Sequence, residues 1–572
     1  MKKLMNEPLK IVREMLEGSV DMAPGQALLA GDNVVLQADL PDVGQRLVAV
    51  ISGGGSGHEP AHAGYVGRGM LTAAVAGDVF TSPSVDAILA GIKVVSGPAG
   101  AVLIVKNYTG DRLNFALAAE LAIQAGIPTE IVVVADDVAL HSLVAPERRR
   151  GIAGTVLVHK IAGAAAANGL PFKQVTELAR KASAGIGSMG VALGACTLPA
   201  AGKPGFVLGD TEIELGLGIH GEKGVSRSVM QSADCLVDII LETICADLQM
   251  KSGEHVALLV NGLGGTPPME LSIVARHALS VLRARGLLVQ RAWVGNYMTA
   301  LEMPGCSLSV MRLDHAMLDL LDVPTEAPAW TSSGRIRSQR LIIEGPGKQQ
   351  TTFENQPIGP LAITMKQALF NVAERLEQAE SHLTDLDSQA GDGDLGASMA
   401  RGAQAIRQLP DYAWATPEIL MIELGNALRK AIAGSSGPFY ATALMRAGRS
   451  LKELSSPSVA QWELAFREAV LSVSEIGGAK AGDRTMMDAL LPALSAFELS
   501  HSQGKDLEQC WQAAVIAAEH GAQATISMSP KLGRAAYLGD RVLGVPDGGA
   551  VAVSFWMKAL QSHYYGEVVK NK

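Results

Sequence analysis

Aromatic side chains are scarce in this chain, at 4% of 572 residues. Basic residues do not dominate either: 48 Lys and Arg stand against 57 Asp and Glu, a formal net charge of −9. Phosphate backbones are held by clustered cations, so nucleic acid is excluded as the main partner. The longest basic run, Arg148–Arg149–Arg150, reads as a solvated helix end. Cysteine is sparse as well. Cys196, Cys235, Cys245, Cys306 and Cys510 are scattered without a CxxC pair. That pattern speaks against a disulfide frame or a structural zinc site and for reduced thiols in a cytoplasmic protein. No apolar run reaches the ~20 residues of a membrane span. The N-terminal segment alternates charged with apolar residues, as an amphipathic helix does and a signal peptide does not. No membrane partner is expected. No Gly-Lys pair is followed by Ser or Thr, which rules out a nucleotide site of the P-loop type.

What is present is small and aliphatic, with 62 glycines and 48% hydrophobic residues. A chain of this length divides into several cores. Up to about residue 324, β-rich runs alternate with Ala-rich helical stretches. Leu47–Ser52 (LVAVIS), Ala101–Lys106 (AVLIVK), Glu130–Val134 (EIVVV) and His255–Val260 (HVALLV) each stop near Gly, Asn or Asp. This predicts an α/β domain with ligands at the carboxyl ends of its strands. A Gly/Ala/Pro-rich break at Gly185–Pro204 divides it into two lobes, about 1–188 and 189–324. Residues 325–360 carry Pro, Gly, Ser and Gln without periodicity and read as a linker. Residues 361–572 show apolar positions three and four apart, as in Pro417–Ile432, Ala460–Ile476 and Glu508–His520. An all-α domain of six to nine helices is predicted there.

Asp387, Asp392 and Asp394 fall within eight residues, broken by Gly391 and Gly393, between two helical patterns. Three carboxylates this close repel one another unless a cation holds them, and glycine-bent oxygen ligands suit Mg²⁺ carrying nucleotide phosphates. An acidic surface turn is the plain alternative; an EF-hand fails on spacing. Gly434–Ser435–Ser436–Gly437–Pro438 offers hydroxyls and N–H groups at a helix start, where phosphate binds well. Gly482–Asp488, Gly533–Arg534–Ala535 and Asp547–Ala550 are further polar turns, each alone an ordinary cap.

In the first half, Gly53–Gly54–Gly55–Ser56–Gly57–His58–Glu59–Pro60 follows directly on LVAVIS. His58–Glu59–Pro60–Ala61–His62 fits the HExxH pattern, but Pro60 and the glycines before it oppose the helix a zinc peptidase needs. Lys106 and Asp111 bracket the turn after AVLIVK. His220 stands between glycines in Gly216–Glu222. A lone histidine is usually structural; here the glycines would let a ligand approach the ring.

Together, GGGSGHEP, AGDVFTSP (Ala76–Pro83), VKNYTGD, GLGIHGE, the three-Asp loop, GSSGPFY, GDRTMMDAL and GRAAYLGDR resemble the dihydroxyacetone kinase family, in its single-chain, ATP-using form. The resemblance spans nearly the whole chain, in family order. It implies a two-lobed α/β substrate domain, an eight-helix barrel for the nucleotide, and a homodimer. It implies ATP and Mg²⁺ as cofactors and dihydroxyacetone, a small ketose, as the substrate phosphorylated. His220 would add to the substrate ketone as a hemiaminal, which selects carbonyl compounds over glycerol. Asp111 would be the acid–base carboxylate and His58 its hydrogen-bonding partner. Gly54, Gly55, Ser56, Gly57, His58, Lys106 and Asp111 would line the sugar pocket, and Asp387, Asp392 and Asp394 would ligate two Mg²⁺ ions. Leu395, Gly396, Ala397, Ser435, Ser436, Thr485, Met486, Arg534, Asp547 and Gly548 would fall at nucleotide-contact positions. Leu395 and Gly548 depart from the family pattern, which carries a polar residue and a proline there. Erythrulose and glyceraldehyde are alternative substrates. A phosphoenolpyruvate-driven relay and a ligand-sensing regulator are the competing readings, disfavoured by the fused domains and by the intact acidic and histidine motifs.

Overall fold

The computed structural model describes residues 2–141, 144–345, 357–432, 434 and 436–568, and of residues 534 and 562–568 the backbone alone. It divides into two compact units, Met1–Ile343 and Glu344–Lys572.

The first unit holds two six-stranded sheets. Strands β1 (Gln26–Leu28), β2 (Val34–Gln37), β3 (Ala49–Ser56), β4 (Ala73–Val79), β5 (Ala101–Lys106) and β6 (Thr129–Val134) form one, in the order β1-β2-β4-β3-β5-β6. β3 to β6 run parallel, while β1 and β2 are antiparallel. Every residue of β3 and β5 is buried, which is why both read as unbroken small or aliphatic runs and not as alternations. From β3 the chain steps to β4 on one side, then to β5 on the other. The carboxyl ends of β3 and β5 thus flank a topological switch point, where open α/β sheets place their ligands.

Helices α1 (Ile11–Asp21), α2 (Val85–Val95), α3 (Thr109–Gln124), α4 (Thr155–Ala167) and α5 (Phe172–Ala184) cover this sheet. α4 is buried from Thr155 to Ala166. At Gly163 no side chain fits: a Cβ there would stand 2.1 Å from the carbonyl oxygen of Met70.

The second sheet opens at Ile186. It comprises β7 (Ile186–Ala192), β8 (Glu212–Leu215), β9 (Ser226–Val229), β10 (His255–Gly262), β11 (Leu288–Gly295) and β12 (Gly305–Leu313), ordered β11-β10-β12-β7-β8-β9. Only the β10–β11 pair is parallel. Helices α6 (Ala233–Asp247) and α7 (Pro268–Ala284) pack on it, and α8 (His315–Asp322) packs on α4.

The expected linker does not begin at Thr325. Ala327 and Trp330 are buried in the first unit's core, with Trp330 against Trp293 at 4.8 Å between ring centroids. Backbone N–H groups of Glu326 and Ala329 donate to the carbonyls of Arg68 and Gly64. Aromatic anchoring holds this proline-rich stretch without any periodic pattern, so the reading by texture ran past it. Residues 346–356 of the expected linker lie outside the described residues.

The second unit is helical: α9 (Ala362–Gln378), α10 (Glu380–Ala390), α11 (Leu395–Arg407), α12 (Pro417–Ala431), α13 (Ser436–Ser450), α14 (Val459–Gly477), α15 (Met487–Ser502), α16 (Leu507–Ala524) and α17 (Gly548–Val568). Ala379 both ends α9 and begins α10, so the two make one bent rod. Each rod packs on the next, and α17 returns to pack on α9. The result is the closed eight-rod ring that the resemblance implied. In such an up-and-down ring alternate helices start at the same end. The connections before α11, α13, α15 and α17, which carry the polar turns picked out in the sequence, therefore share one rim.

Candidate active site

The glycines ending β3 are there for close approach. A Cβ at Gly53 would lie 2.3 Å from the Val75 carbonyl oxygen, and one at Gly55 would lie 2.6 Å from the Thr81 nitrogen. At Gly54 it would fall 2.2 Å from Lys106 Nζ, with Asp111 Oδ2 at 3.5 Å. The ammonium thus rests on bare backbone at the strand end. Asp111, in the first turn of α3, accepts a 2.5 Å hydrogen bond from Ser82 Oγ on Oδ1. Its Oδ2 lies 3.7 Å from Lys106 Nζ.

The connection between β11 and β12 bears on the same place. N–H groups of Thr299 and Leu301 donate to the carbonyls of His58 and Gly57, and His58 Nδ1 lies 2.8 Å from the Thr299 carbonyl oxygen. A carbonyl only accepts, so the proton is on Nδ1 and Nε2 keeps its lone pair. Burial, reinforced by the Lys106 charge, holds His58 well below the usual imidazole range. Its Nε2 is buried and has no partner within the protein. A neutral ring aims an acceptor into the site.

His220 sits on the β8–β9 loop. Its ring meets those of His58, Phe80 and Tyr108 edge-on, with centroids 4.8, 5.1 and 4.6 Å away. Nδ1 lies 2.8 Å from Glu222 Oε1, and the backbone N–H of His220 donates to Glu222 Oε2 at 3.0 Å. The carboxylate fixes the proton on Nδ1 and leaves Nε2 nucleophilic. Burial alone would raise the Glu222 carboxyl, but the His220 hydrogen bonds outweigh it and hold the group below its ordinary value. The glycines serve this fold of the loop: a Cβ at Gly218 would stand 2.1 Å from Glu222 Oε2. Arg150 anchors the loop, donating to the Gly216 carbonyl at 2.7 Å and to Asp137 Oδ2 at 2.8 Å.

The HExxH match has no helix beneath it. His58 turns to Thr299, whereas His62 turns to Lys106 and His159. The two rings do not share a ligand position.

In the helical unit, Asp387, Asp392 and Asp394 each bring an oxygen within 4.8 Å of the others. Asp387 is half-buried at the end of α10, and its Oδ2 accepts N–H groups of Asp394 at 2.9 Å and Leu395 at 3.2 Å. Gly391 leaves room for the Asp387 carboxylate, which a Cβ there would meet at 2.3 Å, and Gly393 takes φ +76° at the turn. Hard oxygen donors on a glycine-bent loop before a helix start fit Mg²⁺ bearing phosphates.

Gly396 packs α11 against α10, and Ala397 follows in the first turn of α11. Met486 lies beside Gly549, and the Asp547 N–H donates to Thr525 Oγ1 at 2.8 Å. Asp547 Oδ1 accepts the Ala550 N–H at 2.8 Å; burial pushes this carboxyl up to about 6. The Thr485 N–H is taken by Asp488 Oδ2 at 2.8 Å. Ser436 begins α13; Ser435 and the Arg534 side chain lie outside the described residues. Arg484, within the polar turn Gly482–Asp488, is buried, and it donates to the Val545 carbonyl at 2.9 Å.

Sequence reasoning gave no role to Glu222, Ser82, Phe80, Tyr108 or Thr299. The first four lie inside quoted motifs. Thr299 had no signal, because it acts through its backbone.

The chain matches the Dak1 domain over residues 17–329 and the DAK2 domain over residues 389–562. It is 40% identical to a human protein named triokinase/FMN cyclase, covering 98% of each chain. It is 35% identical to a D-erythrulose kinase of Mycolicibacterium smegmatis, covering 97% of each. The dihydroxyacetone kinase of C. freundii in complex with AMP-PNP and Mg²⁺ superposes with a TM-score of 0.63 at 35% identity, covering 98% of this chain and 99% of that one. Matched end to end by such relatives, the chain belongs to the two-domain dihydroxyacetone kinase family.

Proposed function

We propose that this kinase transfers the γ-phosphate of ATP to dihydroxyacetone, giving dihydroxyacetone phosphate, with the ketone held on His220. The carrying observation is the His220–Glu222 pair: an imidazole whose proton is fixed on Nδ1, set against neutral His58. His220 Nε2 attacks the carbonyl carbon; the C–N bond forms, and the π pair becomes a hydroxyl. Nδ1 gives up its proton and the new oxyanion takes one up, so the adduct is neutral. His58 Nε2 accepts from a substrate hydroxyl. Asp111 takes the proton from the terminal hydroxyl as its oxygen bonds to phosphorus.

Asp387, Asp392 and Asp394 would hold Mg²⁺, with the rim at Leu395, Gly396, Ala397, Ser436, Thr485, Met486, Asp547 and Gly548 around the nucleotide. When bound, ATP with Mg²⁺ supplies the phosphoryl group and offsets its charge. The partner is a small molecule; a homodimer and a cytoplasmic location complete the proposal. No described helix is long and apolar enough to cross a membrane.

The test is coupled ADP release over dihydroxyacetone, erythrulose, glyceraldehyde and glycerol, with light scattering for the dimer. Turnover of dihydroxyacetone but not glycerol, lost in His220→Ala while ATP still binds, supports the reading. Preference for erythrulose would assign the tetrose instead, a reading favoured by the name of the mycobacterial relative. Equal turnover of glycerol would remove the covalent role of His220.

A further inference from the structure

Lys106 is fully buried, and the polar groups around its ammonium include a backbone carbonyl, a carboxylate and an imidazole of the protein. Nζ lies 3.4 Å from the Gly53 carbonyl oxygen, 3.7 Å from Asp111 Oδ2 and 2.9 Å from His62 Nε2. The resemblance implies that it lines the sugar pocket, and its contacts run to Gly53, His62 and Asp111. Its shortest contact is an imidazole, and that imidazole is itself held: His62 Nδ1 lies 3.0 Å from His159 Nε2 on buried α4. Ser52 Oγ, committed to the Ile104 carbonyl at 2.6 Å, stands 3.5 Å from His62 Nδ1.

We propose that His62 and His159 are positioning residues for phosphoryl transfer, a buried imidazole pair that holds Lys106 and, through it, Asp111 and the Gly53–Gly54 backbone. The inference rests on the reading of Asp111 as the acid–base carboxylate. The ammonium can only donate, so His62 Nε2 accepts and the His62 proton is on Nδ1. That N–H donates to His159 Nε2, which leaves the His159 proton on Nδ1, a buried atom without a partner in the protein. Burial and the Lys106 charge hold both rings neutral, with His159 down at about 3. Only one order of protons satisfies the chain from Asp111 to α4. A neutral acceptor suits this place. A carboxylate there would compete with Asp111 for the ammonium, and an apolar side chain would leave one N–H of a buried cation unmade.

The test compares His62→Leu with His62→Gln, and His159→Leu with His159→Gln, since Gln carries an acceptor near the position of Nε2. Each Leu variant should lose about ten-fold or more in kcat, as misplacement of a reacting group does. KM for ketone and for ATP should stay within about two-fold, and Gln should recover most of the loss. Equal kcat in the Leu and Gln variants, or a lowered melting temperature with kcat intact, would mean the rings merely fill the core. Should the Leu variants not fold, ¹⁵N-histidine NMR of the unaltered protein decides. Both rings should carry their proton on Nδ1, and an Nε2–H tautomer at either overturns the proposal. If the unaltered enzyme phosphorylates none of the test sugars, the functional reading fails, and the NMR result still judges the proton order.

Discussion

Leu395 Cδ2 lies 2.8 Å from the point where a side chain at position 548 would begin. Leu395 opens α11 and Gly548 opens α17, so the two helix starts touch across the rim. These are also the two positions at which the resemblance implies a departure from the family pattern, and the contact couples them. The larger residue at 395 occupies space that the missing side chain at 548 leaves. Gly548→Pro alone should destabilise the protein by about 1 kcal/mol, because Leu395 must move. Adding Leu395→Ser should recover at least half, a coupling of about 0.5 kcal/mol or more. Denaturant melts of the four proteins measure it; strict additivity would show the two sites to be independent.

Glu222→Gln should cost more than its exposed edge suggests. The amide can donate to His220 Nδ1, which would put the imidazole proton on Nε2 and remove the nucleophile. A fall of up to about 10⁴-fold in kcat on ketones is expected, the scale on which loss of a tautomer-fixing carboxylate acts, with ATP affinity unchanged. Steady-state kinetics beside nucleotide calorimetry checks both halves.

The acidic loop separates two kinds of carboxylate. Asp394→Asn removes one charge from a mutually repelling set, so it should abolish Mg²⁺-dependent ATP binding and leave the melting temperature unchanged or slightly raised. Asp387→Ala loses the acceptor of two backbone N–H groups as well, and should also destabilise by about 1–3 kcal/mol. Calorimetry with ATP and Mg²⁺, set against thermal melts, distinguishes them. If ATP binds Asp394→Asn as well as it binds the parent, the loop is a surface turn.

Asp547 carries a pH dependence of defined sign. Its folded value is raised to about 6 from an ordinary 3.8 by burial, against the Ala550 N–H and the Arg484 charge, which lower it. A raised acid favours the folded state when protonated. Its contribution is therefore complete below about pH 4 and is lost as pH rises through about 6. The loss is at most about 3 kcal/mol, and smaller to the extent that water reaches this half-buried group. Asp547→Asn should then be more stable than the parent at pH 8 and should lose that difference toward pH 4. Parallel curves for the two proteins from pH 4 to 8 would contradict this.

The parts of the fold legible in the sequence were those in which one physical pattern acts alone. β3, β5 and β10 are buried on both faces, and aliphatic runs announce that. α12, α14 and α16 present one apolar stripe to the ring, and spacing announces that too. Trp330 escaped because a single ring holds its segment in place. The site divides in the same way. His220, Asp111 and the three aspartates bear chemistry in their side chains and stand among glycines. The Thr299 carbonyl is contributed by backbone 241 residues from His58, and nothing in residue type marks it. The glycines themselves were half understood: Gly218 makes room for Glu222, where the sequence suggested room for substrate.

The ring of helices closes between α9, its first rod, and α17, its last. During synthesis the acidic loop therefore leaves the ribosome well before the rim it belongs to can exist, because helices α11 to α16 are all made before Asp547 and the start of α17. The α/β unit, complete by Ile343, can fold while the helical one is still open, as domains do when they emerge in order. A message truncated ahead of α17 would release a chain with its α/β unit finished and its ring of helices unclosed.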